Sequence, residues 1–369
     1  MSNSSAAAAP APGGTGMPDE FHPRHLAVRV AEIAGIIALV AIAISALPGL
    51  DQVRARLGGV DPVWLVALAI AEIGSCAGYL LVFRSTFCLQ MSWRLSYDIA
   101  LAELAANSLL PAGGAGGLAL GVWALRQAGM PTGHIARRTV AFFVVTSAAN
   151  FFTLVLVGLG VFVGIVPGSG SWVLTLVPAL ITAVGIVLVG VSPKLLRAVG
   201  ERGAGSDRGS WRGRAVLKLR GWLIAAADGV DQAIVLLRSH SGGVILGSFA
   251  YMAFDIAAFG LGFAAVGSAP ALGTLVLGYL IGQLGNLVPL PGGVGGTEGA
   301  LVGVLVLYGV NLTEATAAVL TYRLFQLAVP ALLGAPAFIA LRRRLTRADH
   351  PALICAPLAL EVVKLPART

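Results

Sequence analysis

Charge is the scarcest property of this chain. Asp, Glu, Lys and Arg make up 11% of its 369 residues, where a soluble protein of average composition carries about 25%. That shortage excludes an ordinary soluble domain. Metal-ligand residues are nearly as sparse. The five histidines (His22, His25, His134, His240 and His350) fall in segments read as loops or tails, so metal catalysis inside a membrane would lack its usual ligands. Cys76, Cys88 and Cys355 have no metal-ligand spacing and cannot all pair; packing is the reading for Cys76 and Cys88, and no disulfide framework is implied. No G-x-x-x-x-G-K-[ST], H-E-x-x-H or G-x-S-x-G occurs, which removes the common nucleotide, metalloprotease and hydrolase signatures. Neither glycine run completes a dinucleotide fingerprint. After Gly293 and Gly295 the third position is Glu298, and after Gly114 and Gly116 it is Ala119 with no soluble strand before it. The net charge of +8 comes without a basic face interleaved with aromatics, so nucleic acid is not an expected partner. Neither metal nor cofactor is implied, and the chain is not expected to be an enzyme.

What remains is apolar: 57% of the residues are hydrophobic and 48 are glycine. The expected fold is an all-α polytopic integral membrane protein with about six full transmembrane helices and two re-entrant broken hairpins. Residues 1–24 read as a disordered leader of Ala, Pro, Gly and Ser. The membrane domain occupies 25–345, and 346–369 form a disordered tail. Full spans are read at 30–47, 63–83, 139–166, 172–191, 243–266 and 313–341. The first could instead be a signal peptide cleaved near Ala46. Residues 51–61 read as a loop. Gly160 and Gly164 form a small-xxx-small pair that suits helix packing. Residues 192–241 hold nine Lys or Arg against four acids. Within them, apolar positions from 216 to 237 at helical spacing suit a helix on the inner membrane surface or an ordinary cytosolic amphipathic helix.

The chain is organised around NLVPLPGGVGGTEG at 286–299. Pro289 and Pro291 remove backbone donors, and the glycines at 292, 293, 295 and 296 weaken helix further. In hydrocarbon such a break survives only where protein or a water-filled cavity covers the freed groups. A weaker copy, NSLLPAGGAGG, lies at 107–117. A shift of 179 residues puts Asn107 on Asn286 and Gly113, Gly114, Gly116 and Gly117 on Gly292, Gly293, Gly295 and Gly296. With one residue of slip, Gly129 then answers Gly309. The expected arms of the first hairpin are too short to cross the ~30 Å hydrocarbon core. Three full spans separate the two hairpins, so they enter from opposite faces, with repeat halves at about 60–191 and 242–345. Paired broken helices in two inverted halves point to a transporter site. Arginines cluster in the N-terminal region, in loops 84–94, 126–138 and 192–241, and after 341. That side is therefore the cytoplasm of a plasma membrane, bacterial in character, and holds both termini.

Ionisable groups inside apolar runs are costly and mark candidate sites. They are Glu72, Glu103, Asp255, Glu298 and Arg323, with Asn107, Asn150 and Asn286 as neutral partners. The candidate substrate site comprises Asn107, Gly113, Gly114, Gly116, Asp255, Asn286, Gly293, Gly295, Gly296, Glu298 and Arg323. Helix N-termini at 114–118 and 295–299 would point backbone N–H groups at an anion such as a lipid phosphate. Arg323 would bind the same phosphate, while Glu298 or Asp255 holds Arg323 or meets a cationic headgroup. The structural alternatives are a carboxylate at a helix start capped by Thr297 and a simple ion pair.

PLPGGVGGTEGALVGVLVLYGV, followed by AAVLTYRLFQLAVPALLG at 317–334, resembles the lysylphosphatidylglycerol synthase transmembrane-region, or flippase-like, family. That family's pattern is a Pro-Gly-Gly-x-Gly stretch, a Glu shortly after it and a Tyr-Arg in the following span. Glu298, Tyr322 and Arg323 match it. The likeness is specific mainly over 286–334 and extends in layout over roughly 30–345. Members with a soluble synthase domain aminoacylate phosphatidylglycerol and move the product outward. With only a short tail after the last span, the resemblance implies the translocating half alone.

The expected function is translocation of a phosphate-bearing lipid, such as an aminoacylated phosphatidylglycerol. Alternatives are transport of a polyprenyl-phosphate carrier and an accessory membrane subunit of a separate lipid or glycan synthase. An intramembrane lipid pyrophosphatase would need Arg and Ser in its Pro-Gly loop, and PGGVGGTEG has neither. The topology is directly checkable. In a Cys-less background, single cysteines at Ser206, Ser210 and Arg347 should resist an impermeant thiol reagent in intact cells, while those at Gly168 and Thr313 react. Labelling of position 206 from outside would overturn the crossing count.

Overall fold

A computed structural model describes residues 51–109, 115–202, 224, 227–238, 242–267, 269–287 and 296–345. Among these every regular element is helical. In chain order they are α1 (Asp51–Gly58), α2 (Pro62–Phe87), α3 (Trp93–Leu109), α4 (Ala115–Gln127), α5 (Thr132–Phe162), α6 (Trp172–Arg202), α7 (Gly242–Ala265), α8 (Leu272–Gly282), α9 (Gly296–Leu307) and α10 (Leu312–Leu345). A short helical segment at 227–238 lies before α7. Five helices, α2, α5, α6, α7 and α10, are long and apolar enough to cross a membrane. The protein is an all-α, multi-pass membrane protein. The span expected at 30–47 lies outside the described residues, as do the two terminal segments.

The centre of the molecule is the antiparallel pair α2–α7. A Cβ added at Gly78 would lie 2.4 Å from the Tyr251 backbone nitrogen, and one at Gly247 would lie 2.5 Å from that of Val82. Gly74 meets the Phe254 ring and Gly243 meets Ser85 in the same register. Each helix thus carries a small-xxx-small pair that lets the two backbones touch, which is how helices associate where lipid removes the hydrophobic drive. The pair expected to do this, Gly160 and Gly164, does not. Gly164 lies beyond the end of α5 with φ of 79° and open space around it.

Long helices α5 and α10 flank the central pair, and each packs against both of its members. The remaining helices form two hairpins, α3–α4 and α8–α9. Gly117 and Gly121 of α4 close onto Asn107 and Glu103 of α3. Gly278 and Gly282 of α8 close onto Leu305 and Leu301 of α9. The return arm α4 has 13 residues, longer than the sequence suggests because helix resumes at once after the break. Even so, the longest arm, α3 with 17 residues, reaches only about 25 Å.

Each hairpin packs on the long helix that follows the other one: α3 lies on α10 and α8 on α5. Two buried cores result. One joins α3 and α4 to the C-terminal half of α2, the start of α5 and the end of α10. The other joins α8 and α9 to the start of α2, the end of α5 and the start of α10. The hairpins therefore sit at opposite ends of the bundle. Both return arms end alike. Gly129 and Gly309 have φ of 88° and 87°, a left-handed turn that glycine enters without steric cost. In each, the glycine N–H and the next N–H bond back to the last turn of helix, to Arg126 and Leu125 in one case and to Val306 and Leu305 in the other.

Residues 51–61, expected as a loop, begin instead with helix α1. Eight residues are too few for helix to be evident from periodicity, and tertiary contacts hold it: Val53 is buried, and Arg56 donates to the Val266 carbonyl and to Glu314. At that same end Ser169 bonds to Thr274 and to the Tyr308 carbonyl. The opposite end holds Arg84 stacked on Trp93 and Arg344 paired with Asp98. There too, segment 227–238 places Gly229 against Val140 and the Arg137 carbonyl. Helix α6 packs chiefly on α5, leaves most of its length exposed, and runs past the expected limit at 191. Cys76 is a buried free thiol, whereas Cys88 is in a disulfide, so packing is not the whole use of cysteine here.

Contacts this close leave no room for a methyl group. Overpacking a core costs about 1–3 kcal/mol. Gly78→Ala and Gly247→Ala should each lower the thermal midpoint of detergent-solubilised protein by several degrees. Gly303→Ala, which faces open space, should leave it unchanged.

Candidate functional site

Near mid-membrane, five helices bring their polar groups together. Asp255 lies 13 residues into α7, about 20 Å from its start, and is 6% exposed. Its Oδ2 accepts from the Tyr279 hydroxyl of α8 at 2.5 Å, and its Oδ1 from the Tyr322 hydroxyl of α10 at 2.7 Å. The Gln326 amide reaches Oδ2 at 3.4 Å. Three donors around one carboxylate compensate it for lost water, the condition on which a buried charge is tolerated.

Arg323 continues the network. Its Nε donates to Glu298 Oε1 at 2.7 Å and its Nη1 to Gln326 Oε1 at 2.5 Å. The side chains of Arg323 and Glu298 are 12% and 15% exposed, so the pair is largely withdrawn from solvent and linked through Gln326 to Asp255. Position explains the geometry. Glu298 is in the first turn of α9, where the free N–H groups of a helix favour a carboxylate. Tyr322, Arg323 and Gln326 share one side of α10, since residues three and four apart are neighbours on a helix.

Glu72 of α2 completes the group. It is 2% exposed, its Oε1 has no hydrogen-bond partner, and it lies within electrostatic reach of Asp255 and Arg323. The α2–α7 register puts it level with Asp255. Three carboxylates thus lie within electrostatic reach of one guanidinium, and Glu298 is bonded to it.

In the first half the chemistry is simpler. Glu103 of α3, 7% exposed, accepts from the Tyr79 hydroxyl of α2 at 3.2 Å. Gly121 passes so close that a Cβ there would overlap the carboxylate. Asn107 Oδ1 accepts the Gly117 N–H at 2.8 Å. Asn107 therefore ties the first hairpin together across its break, and one of the amides expected to face an anion is already satisfied. Gly116 is buried near the start of α4, and Gly296 is the first residue of α9. The helix starts thus fall where the glycine runs imply. Gly113, Gly114, Gly293 and Gly295 lie outside the described residues. Asn286 lies in a 3-10 turn at Gln283–Leu287 that closes α8, and its side chain is not described.

Of the expected site residues, the structure brings together Asp255, Glu298 and Arg323. Sequence reasoning left Glu72 out of the site and missed Tyr279 and Gln326 as its connecting groups. Tyr322 was legible only through the Tyr-Arg pattern. A tyrosine inside an apolar run reads as packing, and its hydroxyl partner shows only once the helices are placed.

Long apolar helices around a buried ionic network define a polytopic membrane protein with a polar interior. Residues 29–334 match the family model described as the lysylphosphatidylglycerol synthase TM region, and the chain belongs to that family. No curated protein and no solved structure matches it.

The Glu298–Arg323 bond is open to a double-mutant cycle. Breaking a buried pair by removing one partner costs about 3–5 kcal/mol, and the residual exposure here sets the expectation at about 3 or less. Glu298→Gln and Arg323→Gln should each lower the thermal midpoint clearly, and the double variant should lose much less than their sum. Additive losses would refute the contact.

Proposed function

We propose that this chain translocates a phosphate-bearing membrane lipid whose headgroup also carries an amine, an aminoacylated phosphatidylglycerol being the type case. One observation carries the reading: a single arginine held among three carboxylates in the middle of the bundle, at the start of a hairpin's return arm. Arg323 and the N-terminus of α9 together suit a phosphate. The surplus of acid over base suits an ammonium group on the same headgroup. A polyprenyl phosphate carries no cation, so the acidic surplus favours the amine-bearing lipid over that carrier.

On this reading the chain is a transporter and not an enzyme. The hairpins are re-entrant, one from each face, which their short arms and their seats at opposite ends of the bundle support. The shared order of long helix, two short arms and long helix supports an inverted repeat, the architecture that alternates access to a central site. Orientation follows from charge. The end with Arg84, Arg94, Arg137 and Arg342–Arg344 faces the cytoplasm, in a plasma membrane. A separate synthase supplying the lipid would meet the protein at that same end.

The reading is tested in proteoliposomes by following labelled aminoacyl-phosphatidylglycerol from one leaflet to the other. A hydrogen bond to a charged group contributes about 1.5–3 kcal/mol. Arg323→Gln, and the Glu298→Gln/Arg323→Gln double variant, should therefore slow movement about tenfold or more, since 1.4 kcal/mol is a factor of ten. Equal rates for wild type and protein-free vesicles would overturn the proposal. Full transport by the double variant would remove the phosphate role from Arg323.

A further inference from the structure

Glu72 stands out among the acids described in the middle of the bundle because an oxygen of its carboxylate meets no donor. It lies ten residues into α2, about 15 Å from Pro62, and so near the middle of the membrane. Among the described residues the other buried acids are engaged, Asp98 near the end of the bundle by its ion pair with Arg344. Asp255 accepts from three donors, Glu298 from Arg323 and Glu103 from Tyr79. Arg323 is directed to Glu298 and Gln326.

The titratable groups around Glu72 can be taken helix by helix. Cys76 is one turn along on α2 itself. From α7 come Asp255 and Tyr251, and from α10 Arg323 and Tyr322. On α3 the nearest acid is Glu103, which is occupied by Tyr79. On α5 the titratable groups are His134, Arg137 and Arg138, at the helix start, which belongs to the core at the other end of the bundle.

A bare carboxylate oxygen in the membrane interior is expensive, and more so beside a second carboxylate. Two partners could relieve it. A metal ion would need several oxygen ligands, but both Asp255 oxygens already face donors, and no group of three metal-ligating residues occurs among the described residues. A proton needs only the one open oxygen.

We propose that Glu72 is an exchangeable proton site, and that its proton couples lipid movement to a proton gradient; the coupling rests on the transport reading above. The step is an acid–base one. An O–H bond forms on Glu72 with a proton taken from water on one face, and it breaks with release to water on the other. No electron moves. When the proton leaves, the carboxylate adds a negative charge beside Asp255, and the headgroup ammonium neutralises it. Proton and ammonium serve the same oxygen, so binding of one excludes the other, which is the requirement for exchange.

Two measurements test this separately. Infrared difference spectra against pH, on purified protein in nanodiscs, should contain the carbonyl stretch of a protonated carboxylic acid. That band should vanish in Glu72→Gln, shift in Glu72→Asp and persist in Glu298→Gln. An unchanged spectrum in Glu72→Gln overturns the proton site, whatever the transport result. In proteoliposomes holding labelled lysyl-phosphatidylglycerol, an imposed pH gradient should change the wild-type rate severalfold and leave Glu72→Gln unaffected. A wild-type rate indifferent to the gradient overturns the coupling. A Glu72-dependent band without any lipid movement would leave the proton site standing and sink the transport reading instead.

Discussion

Backbone contact between α2 and α7 is the constraint on which the rest of the bundle depends. In a membrane, helices gain nothing by hiding apolar side chains from each other, since lipid is equally apolar. What holds them is close approach, and Gly74, Gly78, Gly243 and Gly247 allow it by having no side chain in the way. Once the two axes are that near, Ser75 can reach the Tyr251 carbonyl, and Glu72 lies level with Asp255. The acidic centre follows from the helix seam. A looser pair would separate the carboxylates and admit lipid or water between them.

The second constraint is that broken helices need cover. Each hairpin leaves backbone groups without helical partners, and bilayer carbon cannot supply any. Protein does so here from several directions. Asn107 receives the Gly117 amide, a 3-10 turn closes α8, and α10 and α5 shield α3 and α8. Crossing the hairpins over to the long helix of the opposite half locks the two halves together. Neither hairpin can shift without disturbing the long helix that follows the other.

Much of this was legible in the sequence, for definite reasons. Apolar runs, proline-glycine breaks and intramembrane charges are local signals, so the long helices, the two hairpins and the residues Asp255, Glu298 and Arg323 could be singled out. Features decided by tertiary placement could not. Helix α1 has too few turns to show a period and is held by Arg56 reaching two distant segments. The glycine pair that was noticed, 160 and 164, proved to lie at a helix end, while those that join α2 to α7 sit among many other glycines. Tyr279 and Gln326 look like filler until a carboxylate is placed beside them.

The two halves also divide their labour, and one comparison makes this plain. Each contains a tyrosine–carboxylate bond between its long helix and the first arm of its hairpin, closing 24 residues of chain. The partners are exchanged: Tyr79 on α2 serves Glu103 on α3, whereas Asp255 on α7 is served by Tyr279 on α8. In the first half the bond stands alone, pressed against Gly121. In the second, moving the acid onto the central helix brings it within reach of Tyr322 and Gln326, and through them of Arg323 and Glu298. The same pair of positions thus closes a hairpin in one half and founds an ionic network in the other. Glu72, on the central helix of the first half, is the group through which that half joins the network. On the transport reading proposed above, chemistry confined to one half would leave a single central site, since two equal sites would compete for one headgroup.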